Sequence, residues 1–215
     1  MINKLLDLLY PPKCAFCGKI LDDGEDGVCR HCSDTMEVLR GRAAHTKGDF
    51  FADAISPLYY SDKVRDAILR YKFNGRSGYA RIFSAIIADC VKDEYGTDFD
   101  ILTYVPISRK RLRRRGYDQA KLLAEGVGEN LGLMPEAVLT KTVHNRQQSG
   151  ISGAEKRRAN VLGVYEVTDK ERVRGKKILL IDDIHTTGAT LSECSKTLLL
   201  AGAEEIFCAS IAKTR

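Results

Sequence analysis

Apolar residues in this chain follow two periods, which alternate from about residue 54 to the end. Short apolar runs predict strands at 54–60, 99–105, 137–139, 164–167, 177–181 and 206–211. Apolar residues three and four positions apart predict helices at 63–73, 79–91, 119–131 and 191–200. This alternation predicts an α/β fold, a parallel sheet with helices on both faces. Ligands of such sheets bind at the carboxyl ends of the strands.

The first 48 residues lack this alternation, so we expect a small unit at 1–48 and a larger domain at 49–215. Residues 1–10 carry four leucines at amphipathic spacing, a run too short for a secretion signal with a cleavage site. Residues 34–49 are polar and predict either a linker or a short helix, which puts the boundary near Gly48. Because no apolar run reaches the ~20 residues of a membrane span, we expect a cytoplasmic protein without one.

Seven cysteines in a chain without an export signal favour metal binding or free thiols over disulfides. Two Cys-x-x-Cys pairs, eleven residues apart, contain Cys14, Cys17, Cys29 and Cys32. Four thiolates at this spacing predict a closed structural Zn²⁺ site, whose metal would supply the folding energy of so small a unit. A redox pair and chance clustering are the alternatives. The spacer at 19–28 predicts a hairpin with a tight turn, and the other three cysteines have apolar neighbours typical of a core.

The segment 178–190 carries the most informative chemistry. Four apolar residues lead into Asp182 and Asp183, and a hydroxyl-rich loop with one glycine follows at Thr186–Thr190. The pattern predicts a buried strand that presents two carboxylates at its tip, beside a helix N-terminus suited to phosphate. A ligand with vicinal hydroxyls, a divalent cation and a phosphate would match these groups. The alternative is an ordinary strand, turn and helix with an acidic N-cap. His185 is expected to face solvent.

This segment resembles the phosphoribosyl pyrophosphate (PRPP) motif of type I phosphoribosyltransferases. The resemblance implies that Asp182 and Asp183 form the catalytic pair that binds the ribose hydroxyls, with Mg²⁺ bound alongside PRPP. The 5′-phosphate would be held by Thr186, Thr187, Gly188, Ala189 and Thr190. It also implies a type I phosphoribosyltransferase-like sheet next to the N-terminal four-cysteine zinc ribbon.

A dense basic segment follows the predicted strand at 99–105: six of the seven residues at 109–115 are cationic, although the net charge of the whole chain is only +5. Such a segment can neutralise a diphosphate, bind nucleic-acid phosphates or form a solvated face. By the same resemblance, the pyrophosphate loop would consist of Val105, Pro106, Ile107, Ser108 and Arg109. A long polar stretch at 141–160 is typical of a mobile lid or a strand-binding surface, and a disordered surface loop is the alternative. The candidates for DNA or lid contacts are Arg111, Arg113, Arg114, Arg115, Arg146, Arg157 and Arg158.

Nearly the whole chain resembles the ComF family of competence-associated proteins. The residues that carry the resemblance are Tyr10-Pro11-Pro12, both cysteine pairs, Tyr71-Lys72-Phe73, Val105-Pro106, 115–120, 146–150, 157–161 and the PRPP motif. The family usually has Arg-Gly-Phe-Asn-Gln where this chain has Tyr117 and Asp118, and the acid weakens that turn as a phosphate contact. The resemblance implies a role in natural transformation, handling single-stranded DNA with the DNA-translocating helicase and DNA-processing proteins of the competence system.

Three functions are compatible with these sequence features. The first is a PRPP-binding, phosphoribosyltransferase-like protein of DNA uptake that contacts single-stranded DNA. The second is a salvage-type phosphoribosyltransferase that acts on a free base. The third is a zinc-stabilised adaptor with a vestigial ligand site.

Overall fold

The computed structural model describes residues 11–73, 77–142 and 163–215, and a mostly parallel sheet lies at its centre. The strands are β1 (His45–Thr46), β2 (Asp53–Ile55), β3 (Leu58–Tyr59), β4 (Ile101–Tyr104), β5 (Leu139–Lys141), β6 (Tyr165–Val167), β7 (Lys177–His185) and β8 (Glu205–Lys213). The main sheet has the order β1-β2-β8-β7-β4, and β3 also pairs with β8. β7 is therefore an interior strand, parallel to both β4 and β8.

Four of the seven α-helices in the described residues correspond to the four predicted helices, and the other three are short. The seven helices are α1 (Arg30–Thr35), α2 (Asp62–Phe73), α3 (Tyr79–Tyr95), α4 (Arg109–Arg115), α5 (Gln119–Leu131), α6 (Lys170–Val173) and α7 (Ala189–Leu200). α5 has the predicted bounds, and α3 runs four residues beyond its predicted end. None of the helices within the described ranges is long and apolar enough to cross a membrane.

The alternation of side chains along β7 explains why helices cover both faces of the sheet. Ile178 and Leu180 pack in one buried cluster with residues of α7, whereas Leu179 and Ile181 pack in another with residues of α3 and α5. The prediction of helices on both faces is confirmed. The same alternation sends the next two side chains of the strand, both aspartates, to opposite sides of the sheet end.

Two predictions about strands are wrong in detail. The predicted strand at 54–60 is two short strands, β2 and β3, which both pair in parallel with β8. Pro57 lies between them; it has no N–H to donate, and its carbonyl accepts from Leu39 N–H. The short strands β5 and β6 do not join the parallel sheet but form an antiparallel pair beside α7. At the other edge, β1 pairs antiparallel with β2, so the chain already enters the main sheet at His45.

The N-terminal unit packs directly on the body of the protein. Residues 19–28 form turns and not the two paired strands of a hairpin. Ile20 forms an isolated antiparallel bridge with Lys13, which lies before the spacer. The predicted hairpin within the spacer is wrong because backbone bonds close the chain around the first cysteine pair, including Cys14 N–H to Lys19 O at 2.8 Å. Phe16 makes an edge-to-face contact with Phe83 of α3, with ring centroids 5.8 Å apart. The ribbon thus shares its core with the sheet domain.

Candidate functional site

A cleft of about 470 Å³ opens at the carboxyl end of β7. Asp182 and Asp183 both line it, and the two acids are partly buried. Asp183 N–H donates to Asp182 Oδ1 at 2.8 Å, which fixes the first carboxylate against its own backbone. The strand continues to His185, two residues beyond the acids, so they project from a hydrogen-bonded strand and not from a loop. A rigid strand holds such groups more accurately than a loop does.

Asp182 lies in an environment that opposes its negative charge. Burial raises the pKa of Asp182, and the negative charge of Asp183 raises it further. The Asp183 N–H and the ammonium of Lys72 act in the opposite direction. The pair is therefore suited to bind hydroxyl donors or a divalent cation, since either would compensate the two negative charges.

The hydroxyl-rich loop lines the same cleft through Thr186, Thr187, Ala189 and Thr190. α7 begins at Ala189, and its N-cap Gly188 has φ +71°. A Cβ at Gly188 would lie 2.8 Å from His185 Nε2, so both the backbone conformation and the available space require glycine. The start of a twelve-residue helix beside threonine hydroxyls fits a phosphate group.

His185 does not face solvent, and that prediction is wrong. Its side chain is buried because β7 extends through it, and its ring lies edge-to-face with Phe51 at 6.3 Å between centroids. Burial lowers the pKa of His185, and the nearby ammonium of Lys213 adds to the effect. The imidazole lies against the turn at Gly188 and supports the hydroxyl-rich loop.

The basic segment at 109–115 forms a helix, α4, capped by Ser108, whose Oγ accepts from Arg111 N–H at 3.4 Å. The helix divides the cations. Arg111 and Arg115 line the cleft together with Val105, Pro106 and Ile107. Ser108 and Arg109, the other residues of the predicted pyrophosphate loop, are not part of that lining, and Arg113 and Arg114 point to solvent.

Asp118, the acid at the position where the family usually has Asn, holds this wall of the cleft together. Its carboxylate caps α5 by accepting from Lys121 N–H at 3.2 Å, and its other oxygen accepts from Ile107 N–H at 3.1 Å. Burial raises the pKa of Asp118, and these backbone donors lower it. The acid therefore ties the loop after β4 to the start of α5, and the Ile107 N–H is already used within the protein.

Three polar residues of the cleft lining are not among the site residues predicted from the sequence. Lys72, at the end of α2, places its Nζ 2.8 Å from Asp183 Oδ2. Lys141 donates to Tyr165 OH at 3.0 Å and also lies over the Tyr165 ring, and burial lowers the pKa of this lysine. Lys72 lies in Tyr71-Lys72-Phe73, one of the segments that resemble the ComF family, so the sequence does contain a signal for it. Lys141 and Tyr165 reach the cleft through the unpredicted pairing of β5 with β6.

The second candidate site is the cluster of four cysteines. Its sulfurs all lie within 4.8 Å of one another, and Cys17 Sγ is 3.6 Å from Cys29 Sγ. A tetrahedral zinc thiolate site has sulfurs about 3.8 Å apart, so the arrangement fits Zn²⁺. Gly18, at φ +75°, and the start of α1 at Arg30 shape the two halves of the cluster. The predicted ligands Cys14, Cys17, Cys29 and Cys32 are all brought together.

Three predicted residues, Arg146, Arg157 and Arg158, lie outside the described residues. The predicted lid at 141–160 lies almost wholly outside them as well. These predictions stay as they are.

Comparison with protein families matches both parts of the chain. Residues 5–56 match a double zinc ribbon domain, and residues 114–215 match a phosphoribosyl transferase domain. The second match contains the two aspartates and the hydroxyl-rich loop, and the first contains all four clustered cysteines. A structural zinc site in the N-terminal unit is supported by both the family match and the geometry.

Among curated proteins, the chain is similar to competence protein ComFC of Bacillus subtilis, with 26% identity over 88% of this chain and 72% of the relative. Competence protein F of Haemophilus influenzae is 29% identical, over 91% of this chain and 82% of the relative. The DNA utilization protein YhgH of Escherichia coli is 26% identical, over 93% and 96% of the two chains.

Among solved structures, the chain is similar to a glutamine PRPP amidotransferase from B. subtilis, with 22% identity and a TM-score of 0.46. That match covers 66% of this chain and 30% of the amidotransferase. An allosteric regulatory enzyme of purine biosynthesis gives a TM-score of 0.44, with 66% and 29% of the two chains covered. This chain thus spans less than a third of either enzyme.

Proposed function

The chain belongs to the ComF family of competence-associated proteins, and from this premise we propose that it binds PRPP with Mg²⁺ and contacts single-stranded DNA during DNA uptake. Its similarity to competence proteins and its phosphoribosyltransferase domain support the coarser role in competence. The finer proposal depends on the chemistry of the cleft.

One observation carries the proposal: the paired acids, the hydroxyl-rich loop and a wall of cations all line one cleft. Four cationic side chains, Lys72, Arg111, Arg115 and Lys141, face two carboxylates there, which leaves a net charge of about +2 when all are ionised. PRPP carries hydroxyls, a monophosphate and a diphosphate. A surface with acids at one point and excess cations around them matches that distribution of groups.

The residues suggest an orientation for the ligand. The ribose hydroxyls would donate to Asp182 and Asp183, and the 5′-phosphate would accept from the start of α7. The diphosphate would then lie towards the wall formed by Arg111 and Arg115, where guanidinium groups can donate to two oxygens at once. Carboxylate oxygens beside phosphoryl oxygens are the donors that Mg²⁺ prefers.

Phosphoribosyl transfer would require the protein mainly to position the ribose and to stabilise charge that builds on the departing diphosphate. The cationic wall is suited to the second task, and the strand-borne acids to the first. The acceptor of the ribosyl group is a separate question, which product analysis with candidate acceptors would address.

Exposed arginines of α4 support the DNA half of the proposal. Three of them are exposed and do not line the cleft: Arg109, Arg113 and Arg114. We assign these side chains to the phosphates of single-stranded DNA, because exposed arginines bind a strand through release of its counterions. The ligand and the DNA strand would then use different arginines of one short helix.

Calorimetry with PRPP and Mg²⁺ tests the ligand half. We expect binding by the wild type and a loss of at least tenfold in affinity for Asp182→Asn, which keeps the side-chain shape and removes the charge. Asp98→Asn is the matched control, since this exposed acid precedes β4 at the opposite end of the sheet. An absence of PRPP binding by the wild type, or equal affinity for wild type and Asp182→Asn, would contradict the proposal.

Titration of single-stranded DNA at several salt concentrations tests the other half. The Arg113→Gln/Arg114→Gln double variant should lose affinity and reduce the salt slope by about 1.4, the value for two lost phosphate contacts on a single strand. Arg172→Gln/Arg174→Gln removes the same charge beside the start of β7, at the other end of the sheet. Equal losses in the two double variants would show that only net charge matters.

A further inference from the structure

The end of helix α2 reaches the cleft at a fixed position. Tyr71 is fully buried, its OH donates to Gln119 O at 2.8 Å, and its own carbonyl accepts from the Tyr117 hydroxyl. These bonds fix the backbone beside Lys72. The backbone of Lys72 is therefore fixed, and only its flexible four-carbon side chain can change the position of the ammonium.

The ammonium of Lys72 pairs with Asp183. Nζ lies 2.8 Å from Oδ2, and the two side chains are only 16% and 19% exposed. Asp183 is one of the acids that the proposed function gives to the ribose hydroxyls. Both the hydroxyls and the ammonium donate hydrogen bonds, so a bound ribose would compete with Lys72 for the same carboxylate.

A neighbouring cation in the same wall is held differently. Arg115 donates to Gln119 Oε1 at 2.5 Å, and its guanidinium lies 4.8 Å above the Phe73 ring. Its planar group is thus fixed by two contacts with the protein. Lys72 instead forms its ion pair with Asp183, the acid to which the proposed function assigns the ribose hydroxyls.

We propose that Lys72 is an exchangeable counter-ion that selects for ligands bearing a diphosphate. In the free protein it neutralises Asp183. When the ribose hydroxyls bind that acid, the ammonium transfers to a phosphoryl oxygen of the ligand. No covalent bond changes in this step. A sugar phosphate without a diphosphate displaces the lysine and offers it no new partner nearby, so it binds at a disadvantage.

This inference rests on the proposed function and adds a specificity-determining residue to it. The readout is the ratio of the affinities for PRPP and for ribose 5-phosphate, both measured by calorimetry with Mg²⁺. Because both ligands would use the same acids, any effect of the lysine on the ionisation of those acids cancels in the ratio. A variant that merely loosens the fold would also weaken both ligands together.

We expect Lys72→Met to reduce the ratio by about 10- to 100-fold, the range for one lost charge-assisted hydrogen bond. Lys63→Met is the control, because Lys63 lies on the same helix, is exposed and is remote from the cleft. Lys72→Arg, which keeps the charge, should retain most of the ratio. If Lys72→Met does not fold, Lys72→Gln replaces it with the same expectation.

An unchanged ratio in a wild-type-like Lys72→Met or Lys72→Gln protein would overturn this inference and leave PRPP binding intact. A wild type that fails to bind PRPP would overturn the proposed function and this inference together.

Discussion

The cysteine cluster and the cleft are both candidate sites, but the chain builds them in different ways. All four thiols come from 19 consecutive residues, and their spacing alone brings the sulfurs together. The cleft gathers side chains that extend from Lys72 to Thr190, carried by α2, α4, β5, β6, β7 and the start of α7. A site closed by local spacing can be identified from a motif, whereas a site closed by topology requires the fold.

The two regions are also joined physically. Arg70, two residues before Lys72 on α2, donates to Ala15 O at 2.9 Å and to Phe16 O at 2.7 Å. Those carbonyls belong to the turn between Cys14 and Cys17. One helical turn therefore contacts the backbone of the metal cluster on one side and an acid of the cleft on the other. The Arg70 bonds therefore couple the stability of the cysteine cluster to the position of α2.

The largest expected effect comes from breaking the cysteine cluster. Cys32→Ser should abolish stoichiometric zinc and lower the Tm by about 10 °C, because metal binding supplies several kcal/mol to the ribbon and the ribbon shares its core with the body. Zinc content and thermal unfolding measure this. Cys90→Ala, a buried thiol outside the cluster, should keep one zinc per chain. Full zinc content in Cys32→Ser would contradict the four-thiolate site.

The next effect concerns the turn at Gly188. Gly188→Ala should cost about 1–3 kcal/mol in backbone strain and weaken PRPP binding at least tenfold, because the new methyl would meet His185 and displace the loop. Gly175→Ala is matched to it, since Gly175 has φ +64° and no atom within 4 Å of an added Cβ. Gly175→Ala should therefore show the strain alone. Equal PRPP affinities in the two variants would argue against phosphate binding at this turn.

The sequence predicts the residues of the cysteine cluster more completely than those of the cleft. Spacing identified all four cysteines, and the run of apolar residues before Asp182 identified the strand and its carboxylates. The sequence does not predict the burial of His185, because β7 continues past the two acids to His185 and the apolar run that predicts the strand ends at residue 181. The positions of Lys141 and Tyr165 depend on the antiparallel pairing of two three-residue strands, which local patterns do not specify. The helix α4 was missed because it has no buried residue, and therefore no apolar period to detect.

The contact between the two regions gives a smaller effect. Arg70→Met removes two charge-assisted bonds to the cysteine turn and should cost about 1.5 kcal/mol of unfolding free energy. We also expect faster release of zinc to a chelator, by roughly tenfold, since the turn loses its support. Arg65→Met is a control on the same helix, where an exposed pair with Asp66 at 3.5 Å should contribute within about 0.5 kcal/mol. An unchanged rate of zinc release in Arg70→Met would indicate that the ribbon holds its metal independently of α2.

The smallest expected effect concerns β1, where the chain from the N-terminal unit joins the main sheet. His45 of β1 bonds through Nδ1 to Asp53 and through Nε2 to Glu94 Oε2 at 2.9 Å. Glu94 also accepts from Gly41 N–H at 2.7 Å, so the cluster ties the incoming chain to α3. The carboxylates of Glu94 and Asp53 raise the pKa of His45 against the effect of burial. Two lysines face the cluster: Lys47 lies 3.7 Å from Asp53, and Lys213 donates to His45 O.

A histidine whose pKa is raised on folding stabilises the protein fully below its unfolded pKa of about 6.5 and loses that contribution as the pH rises through the folded value. His45→Gln should therefore lower the unfolding free energy by about 1 kcal/mol at pH 6, and the difference should shrink towards pH 9. Glu94→Gln should remove part of the same pH dependence, and the double variant should show the coupling between the two groups. Urea unfolding at several pH values measures it. A loss in His45→Gln that is equal at pH 6 and pH 9 would mean that packing at the sheet edge, and not charge, joins the ribbon segment to the sheet.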